Sequence, residues 1–310
     1  GQTRVYQWDG TNWDQLGSDI NGEGANDLSG FSVSLSDNGN TIAIGSIYND
    51  DNGSNSGQAR VYRMDRGDWD QIGSDINGEA VDDSSGFSVS LSSDGNIVAI
   101  GAPYNDDNGN KSGQARVYQW DGSDWDQLGS DINGKATGDQ IGKSISLSAD
   151  GNTFATGAMY SDDNGSNSGQ TRVYQWDGTN WDQLGSDIIG EGANDLSGFS
   201  VSLSADGNTV AIGAPKNDDN GSSSGQVRAY KWDGTNWDQL GLEIDGENQY
   251  DNSGNSVSLS ADGTTVAIGA IYSDLIAADG TTTFADSGKT RVYEWTGAIW
   301  DKIGLDIDGE

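Results

Sequence analysis

The chain contains no cysteine and no histidine. The first absence excludes disulfides and thiol chemistry, and the second removes the commonest general base. Basic residues are scarce: 15 Lys and Arg stand against 49 Asp and Glu, a net charge of -34 in 310 residues. That charge repels polyanions, so neither nucleic acid nor an anionic membrane surface is expected as a partner. It also concentrates cations and suits saline solvent, where screening relaxes self-repulsion. No apolar run approaches the roughly 20 residues that span a bilayer, and direct membrane insertion is not expected. Proline occurs only twice, whereas 47 glycines disfavour long helices. Only 33% of residues are hydrophobic, yet 11 Trp and 11 Tyr alternate with regularly spaced Val, Ile and Leu, anchors that a disordered chain lacks. The chain opens at Gly1 without an initiator Met or a signal peptide, which reads as a mature piece or an excerpt of something longer.

What is present is a repeat. Gly-Gln-Xaa-Arg-Xaa-Tyr begins at Gly1, Gly57, Gly113, Gly169 and Gly225, and a variant begins at Gly288, delayed by an insertion between Ser273 and Ser287. Residues 169–198 repeat residues 1–30 with one change, Ile189 for Asn21, the mark of recent duplication. Each unit of about 56 residues predicts four strands. The first, at 31–36, alternates strictly, and an Asp-Gly type turn (Asp94-Gly95, Asp150-Gly151, Asp206-Gly207, Asp262-Gly263) leads to the second, at 41–45. A polar loop at 49–56 leads to the third, at 58–64, and the fourth corresponds to 13–20 of the first copy.

The two faces of the inner hairpin differ in bulk. Phe31, Val33, Leu35, Ile42 and Ile44 fall on one side, and Ser32, Ser34, Thr41, Ala43 and Gly45 on the other. One unit buries too few large side chains to offset the entropy of ordering it, so both faces need neighbours. Four-stranded sheets stacked bulky-on-small predict an all-β propeller; an open superhelical stack is the competing geometry. The expected division is a half-blade at 1–23, supplying outer strands only, then full blades at 24–79, 80–135, 136–191, 192–247 and 248–310. A complete ring would have six blades.

The units resemble FG-GAP repeats, the blades of the integrin α-subunit head and of many secreted propeller proteins. The residues that carry the resemblance are Gly86-Phe87 with Gly101-Ala102-Pro103, and Gly198-Phe199 with Gly213-Ala214-Pro215. It extends loosely over every unit, with Ser88 in place of the motif's first Gly and no Pro in three units. The resemblance implies a propeller and an extracellular or cell-surface setting. It does not carry over the family's calcium ligands, because the link between strands one and two is a tight turn (148–152) too short to wrap an ion.

Four sets of residues are candidates for chemistry. The first is acidic: Asp50, Asp51, Asp106, Asp107, Asp162, Asp163, Asp218 and Asp219 in the loops between strands two and three, and Asp27, Asp83, Asp139, Asp195 and Asp251 in the links between units. Alternating strand direction puts these loops and links on one face, together with Glu23, Glu79, Glu191 and Glu247. Hard oxygen ligands in Gly-containing loops suit Ca²⁺; solvated acidic loops are the alternative. The second set is Arg4, Arg60, Arg116, Arg172, Arg228 and Arg291, expected to stack on aromatics and to pair with Asp19, Asp75, Asp131, Asp187, Glu243 and Asp306 in register. The third comprises the pairs Trp120/Trp125, Trp176/Trp181 and Trp232/Trp237, read either as cross-strand packing or as a platform for sugar rings. The fourth is Asn52, Asn110, Asn164 and Asn220, each in an N-glycosylation pattern.

Without His or Cys, and with acid pairs recurring in every unit, the residues point away from an enzyme. The expected function is a structural or adhesive extracellular module that contacts other copies of itself or extracellular proteins and glycans, with Ca²⁺ as a possible stabiliser and no other cofactor. The alternative is a multivalent carbohydrate-binding propeller. The one segment that breaks the repeat, 274–286 with Leu275, Ile276 and Phe284, is a further candidate for partner contact.

Overall fold

A computed structural model describes residues 1–276 and 283–309. All regular structure in it is β, and among the described residues no helix is long and apolar enough to cross a membrane. The chain divides into two compact units, Gly1–Gly142 with Gly178–Trp181, and Lys143–Asp177 with Asp182–Glu310.

In the first unit a leading hairpin precedes two complete sheets. The hairpin pairs Gln2–Thr3 with Ile20–Asn21 and Tyr6–Trp8 with Trp13–Gln15. The first sheet runs Ser29–Leu35, Thr41–Ser46, Gln58–Asp65 and Asp68–Gln71, all antiparallel, and the second runs Ser88–Leu91, Ile97–Ala102, Gln114–Trp120 and Trp125–Gln127. Sheets of the same order occupy 144–189, 200–245 and 253–308 in the second unit. Four-stranded antiparallel blades repeated at about 56 residues are the fold of a β-propeller.

The predicted register holds. Val33 pairs with Ile44 and Leu35 with Ile42 on one face, and Ser32 with Gly45 and Ser34 with Ala43 on the other. Bulky then packs on small. Ala43, Ala59, Val61 and Ile76 of the first sheet meet Val89, Leu91, Val98, Ile100, Tyr118 and Trp125 of the second in one core. In the second unit Ala155, Val173 and Ile188 meet Val201, Leu203, Val210 and Ile212 in the same manner, and Ala211 and Val227 meet Leu259, Val266 and Ile268.

The serines of the first strand do more than leave room. Ser32 Oγ donates to the Gly86 carbonyl at 2.7 Å, and the Leu91 N–H donates to Ser34 Oγ at 2.9 Å, so each serine bonds the backbone of the next sheet. The same pair of bonds in the second unit joins Ser200 to Gly254 and Leu259 to Ser202.

The fourth strand is not the continuous element the sequence predicts. It breaks into two short pieces, Trp125–Gln127 and Ile132–Asn133 in the second sheet, and the second piece pairs with the start of the third strand. A glycine in the left-handed region sits at each break: Gly73, with φ 71°, in the first sheet. A β-carbon there would come within 2.8 Å of Trp120 and Trp125 of the next sheet, so the break lets that tryptophan pair settle.

Candidate functional site: a repeated acidic cluster

The loop between strands two and three lies along the link to the next sheet. In the first unit the Asp82 and Ser85 N–H groups donate to the Ser54 and Ser56 carbonyls, and Asn52 Nδ2 donates to the Gly78 and Glu79 carbonyls. The sequence expectation that these segments share a face thus describes hydrogen-bonded neighbours.

The acidic residues named from sequence separate into three jobs. Asp50, Asp106, Asp162 and Asp218 each accept the backbone N–H five residues on, at 2.6–2.7 Å, and so staple their own loops. Asp27, Asp83, Asp139, Asp195 and Asp251 are buried and each accepts an N–H three residues back, that of Gly24, Ala80, Ala136, Gly192 or Asn248. Burial raises the Asp83 and Asp195 carboxyls above the ordinary carboxylate range, against hydrogen bonds from Asn105 and Asn217 that lower them.

The third group converges. Glu23, Asp51 and Asp75 place carboxylate oxygens within 4.8 Å of one another, and Glu79, Asp107 and Asp131 do the same one unit later. These two clusters could hold a metal ion. Of their six residues, sequence reasoning had proposed only Asp51 and Asp107 as ligands. Glu79 comes from the incoming link, Asp107 from the loop and Asp131 from the end of the broken fourth strand. No local spacing joins them; the fixed repeat offset was the one signal available. Gln114 Nε2 stands between two of them, 2.8 Å from Glu79 and 3.2 Å from Asp107, and Gln127 Nε2 holds Asp131 at 2.7 Å. In the second unit Gln226 faces Asp219 and Asp245, and the Gln170 amide stands between Asp163 and Asp187.

The arginines border these clusters. The expected in-register acid is the partner at Arg4–Asp19 (3.0 Å), Arg172–Asp187 (3.9 Å) and Arg291–Asp306 (3.5 Å). In the other three sheets the geometry corrects that pairing. Arg60, Arg116 and Arg228 lie 3.6 Å from Glu23, Glu79 and Glu191, and donate to the carbonyls of Asn21, Asn77 and Ile189. The link passes over the guanidinium and so supplies the nearer carboxylate. Stacking is on tyrosine: Arg60, Arg116 and Arg228 each lie 5.6 Å from the ring centre of Tyr62, Tyr118 and Tyr230.

The tryptophan pairs are tilted cross-strand contacts, 5.5 Å and 51° for Trp120/Trp125 and 5.4 Å and 48° for Trp232/Trp237. Trp125 is buried and its Nε1 donates to the Ile72 carbonyl of the preceding sheet; Trp181 donates likewise to Leu128, and Trp237 to Leu184. Trp120, Trp176 and Trp232 are half-buried. Among the candidate glycosylation sites, the amide nitrogens of Asn52, Asn164 and Asn220 donate to carbonyls of the following link, whereas Asn110 is exposed two residues out of that register. The side chains of Leu275, Ile276 and Phe284 lie outside the described residues.

Three segments, residues 21–62, 77–118 and 190–230, match the family model of the FG-GAP repeat. The chain carries FG-GAP repeats. The structure gives the motif a physical reading. Gly86, of the Gly-Phe pair, presents its carbonyl to Ser32, and a β-carbon on Gly45 would lie 2.0 Å from that oxygen. Gly101 stands in the same relation to Gly142, and Gly213 to Gly254. The motif glycines therefore mark where successive sheets touch backbone to backbone. The sequence resemblance was expected over every unit; the two unmatched units carry Lys143 and Asn255 where the matched ones carry Phe.

No curated protein matches the chain. Among solved structures the chain is similar to a Bacteroides uniformis protein described as a 6-phosphogluconolactonase, at 15% identity and a TM-score of 0.57, over 99% of this chain and 92% of that one. At that identity the likeness shows the fold alone. It nonetheless overturns the expectation that the chain is not an enzyme, because the same architecture carries an enzyme's name there. Repetition of acid pairs and lack of histidine do not decide the matter.

Proposed function

We propose that this chain is an extracellular or cell-surface structural module, an FG-GAP repeat array that holds protein or matrix partners through a face repeated from unit to unit and steadied by Ca²⁺. The carrying observation is the convergence of loop, link and outer strand on three carboxylates at the same position in successive sheets. Equivalent sites at fixed intervals suit avid contact with a repetitive partner, a second copy included. The net charge of -34 favours association mediated by divalent cations over bare contact between copies.

Beads coated with the chain test this. Clustering, or retention on extracellular matrix, that appears with millimolar Ca²⁺ and reverses with chelator supports the reading. Beads that stay dispersed and bind no matrix component overturn it. A carbohydrate-binding reading draws support from Trp8 and Trp13, which are 51% and 66% exposed on the leading hairpin. Glycan-array binding lost in Trp13→Ala would favour it.

A further inference from the structure

The acidic clusters differ in charge from sheet to sheet in a way that specifies what fills them. In the second sheet Glu79, Asp107 and Asp131 supply three negative charges and Arg116 one positive, which leaves two uncompensated. The first sheet has the same balance with Glu23, Asp51, Asp75 and Arg60. The last sheet departs from this at three positions. Leu275 stands in sequence where Asp107 does, Lys289 where Gln114 does, and Lys302 where Gln127 does. One acid has gone and two ammonium groups have arrived. Lys302 Nζ contacts Asp306 and lies 3.3 Å from Glu247, and Lys289 Nζ lies 3.8 Å from Asp306. The third sheet likewise has Lys135 at the position of Glu79. Complete trios lack an amine, and incomplete ones gain one.

A second observation is independent of charge. Gln114 is fully buried, its amide wedged against Glu79 and Asp107, and its Oε1 receives no donor. A buried carbonyl oxygen without a donor costs free energy that a hard cation offsets, and carboxylate and amide oxygens are the ligands Ca²⁺ takes. In the fourth sheet Asp245 adds a further acid, its carboxyl raised first by burial and then by Glu243, Asp219 and Glu191.

We infer that each complete cluster is a divalent-cation site, and that the lysines of the last sheet are built-in substitutes for that cation. This rests on the calcium part of the proposed function and adds to it which sheets bind: the first, second and fourth, not the last. The ligands in the second sheet are Glu79, Asp107, Asp131 and the Gln114 oxygen.

Calorimetric titration of the whole chain with Ca²⁺, at fixed ionic strength, tests the inference. Glu79→Gln is expected to weaken or remove one class of site, about 10-fold or more in affinity. Gln114→Lys is expected to remove the same site while keeping the melting temperature in chelator at or above that of the parent, because the ammonium takes the cation's place. Lys302→Gln is expected to lower the melting temperature in chelator. Unchanged Ca²⁺ stoichiometry in both second-sheet variants overturns the inference, as does Gln114→Lys melting well below the parent in chelator. The bead assay separates this from the broader proposal. Clustering without bound Ca²⁺ sinks the cation sites alone, and bound Ca²⁺ without clustering sinks the adhesive reading alone.

Discussion

Gly213 shows how much a single missing β-carbon accomplishes. A methyl there would sit 2.0 Å from the Gly254 carbonyl oxygen, beside the hydroxyl of Ser200 that donates to it. Gly213→Ala is expected to destabilise by about 1–3 kcal/mol or more, since neither backbone can retreat without breaking a ladder. Ser200→Ala, which removes only the hydrogen bond, should cost about 1 kcal/mol. Urea unfolding of both variants checks the ranking, and equal effects would contradict it. Acid sensitivity is a residue-scale property too. Hydrogen bonds from Ser260 and then Thr264 hold the Asp262 carboxyl down to about 2. A carboxyl lowered by folding contributes stability above its ordinary value of 3.8, and that contribution disappears as pH falls toward 2. The stability gap between the parent and Asp262→Asn should therefore narrow between pH 4 and pH 2; a constant gap would refute the assignment. Asp83 and Asp195, raised by burial, act in the opposite sense and disfavour the fold as pH rises above the ordinary value.

At the scale of the strand, the broken outer element ties each sheet to the one before it. Trp125 donates to Ile72 and its ring lies over Gly73, so the tryptophan reads the break in the preceding fourth strand. Trp125→Phe keeps most of the apolar contact and loses the bond, an expected cost of about 1 kcal/mol. Gly73→Ala should cost more, because it combines a left-handed backbone with a clash. Thermal melts of the two variants would check the order. The inner strands were legible in the sequence because period-2 alternation reports burial directly. Phe31 to Ser36 could be assigned to faces residue by residue. The break was not, because Gly17 and Gly73 read equally as turn residues after the strand and as kinks within it. The arginine partners were half legible. Asp75 is close to Arg60 in sequence register, whereas Glu23 reaches it through a link 37 residues earlier, a contact that only packing creates.

Charge acts at the scale of the whole chain. With a net charge of -34, self-repulsion opposes compactness, and monovalent salt should raise the melting temperature as the Debye length shrinks. Ca²⁺ should raise it further at matched ionic strength; equal effects of NaCl and CaCl2 would leave screening as the whole explanation. The repeat offset made the acidic face legible, but the trios were not, because they combine residues from three segments of one unit and its link. The catalytic question shows where sequence reasoning overreached: absent histidine was read as absent enzyme, and an enzyme-named relative in fold shows that inference to be unsafe.

The serine-to-carbonyl contact between successive sheets has a consequence for how such a chain changes over generations. Each unit presents its successor with the same socket that it fills in its predecessor. Copying or excising a complete repeat leaves every socket matched, while losing a single residue inside one throws a whole strand onto its wrong side. Growth in whole-unit steps is therefore the cheap route, and the near-identity of residues 1–30 and 169–198 is what that route leaves behind.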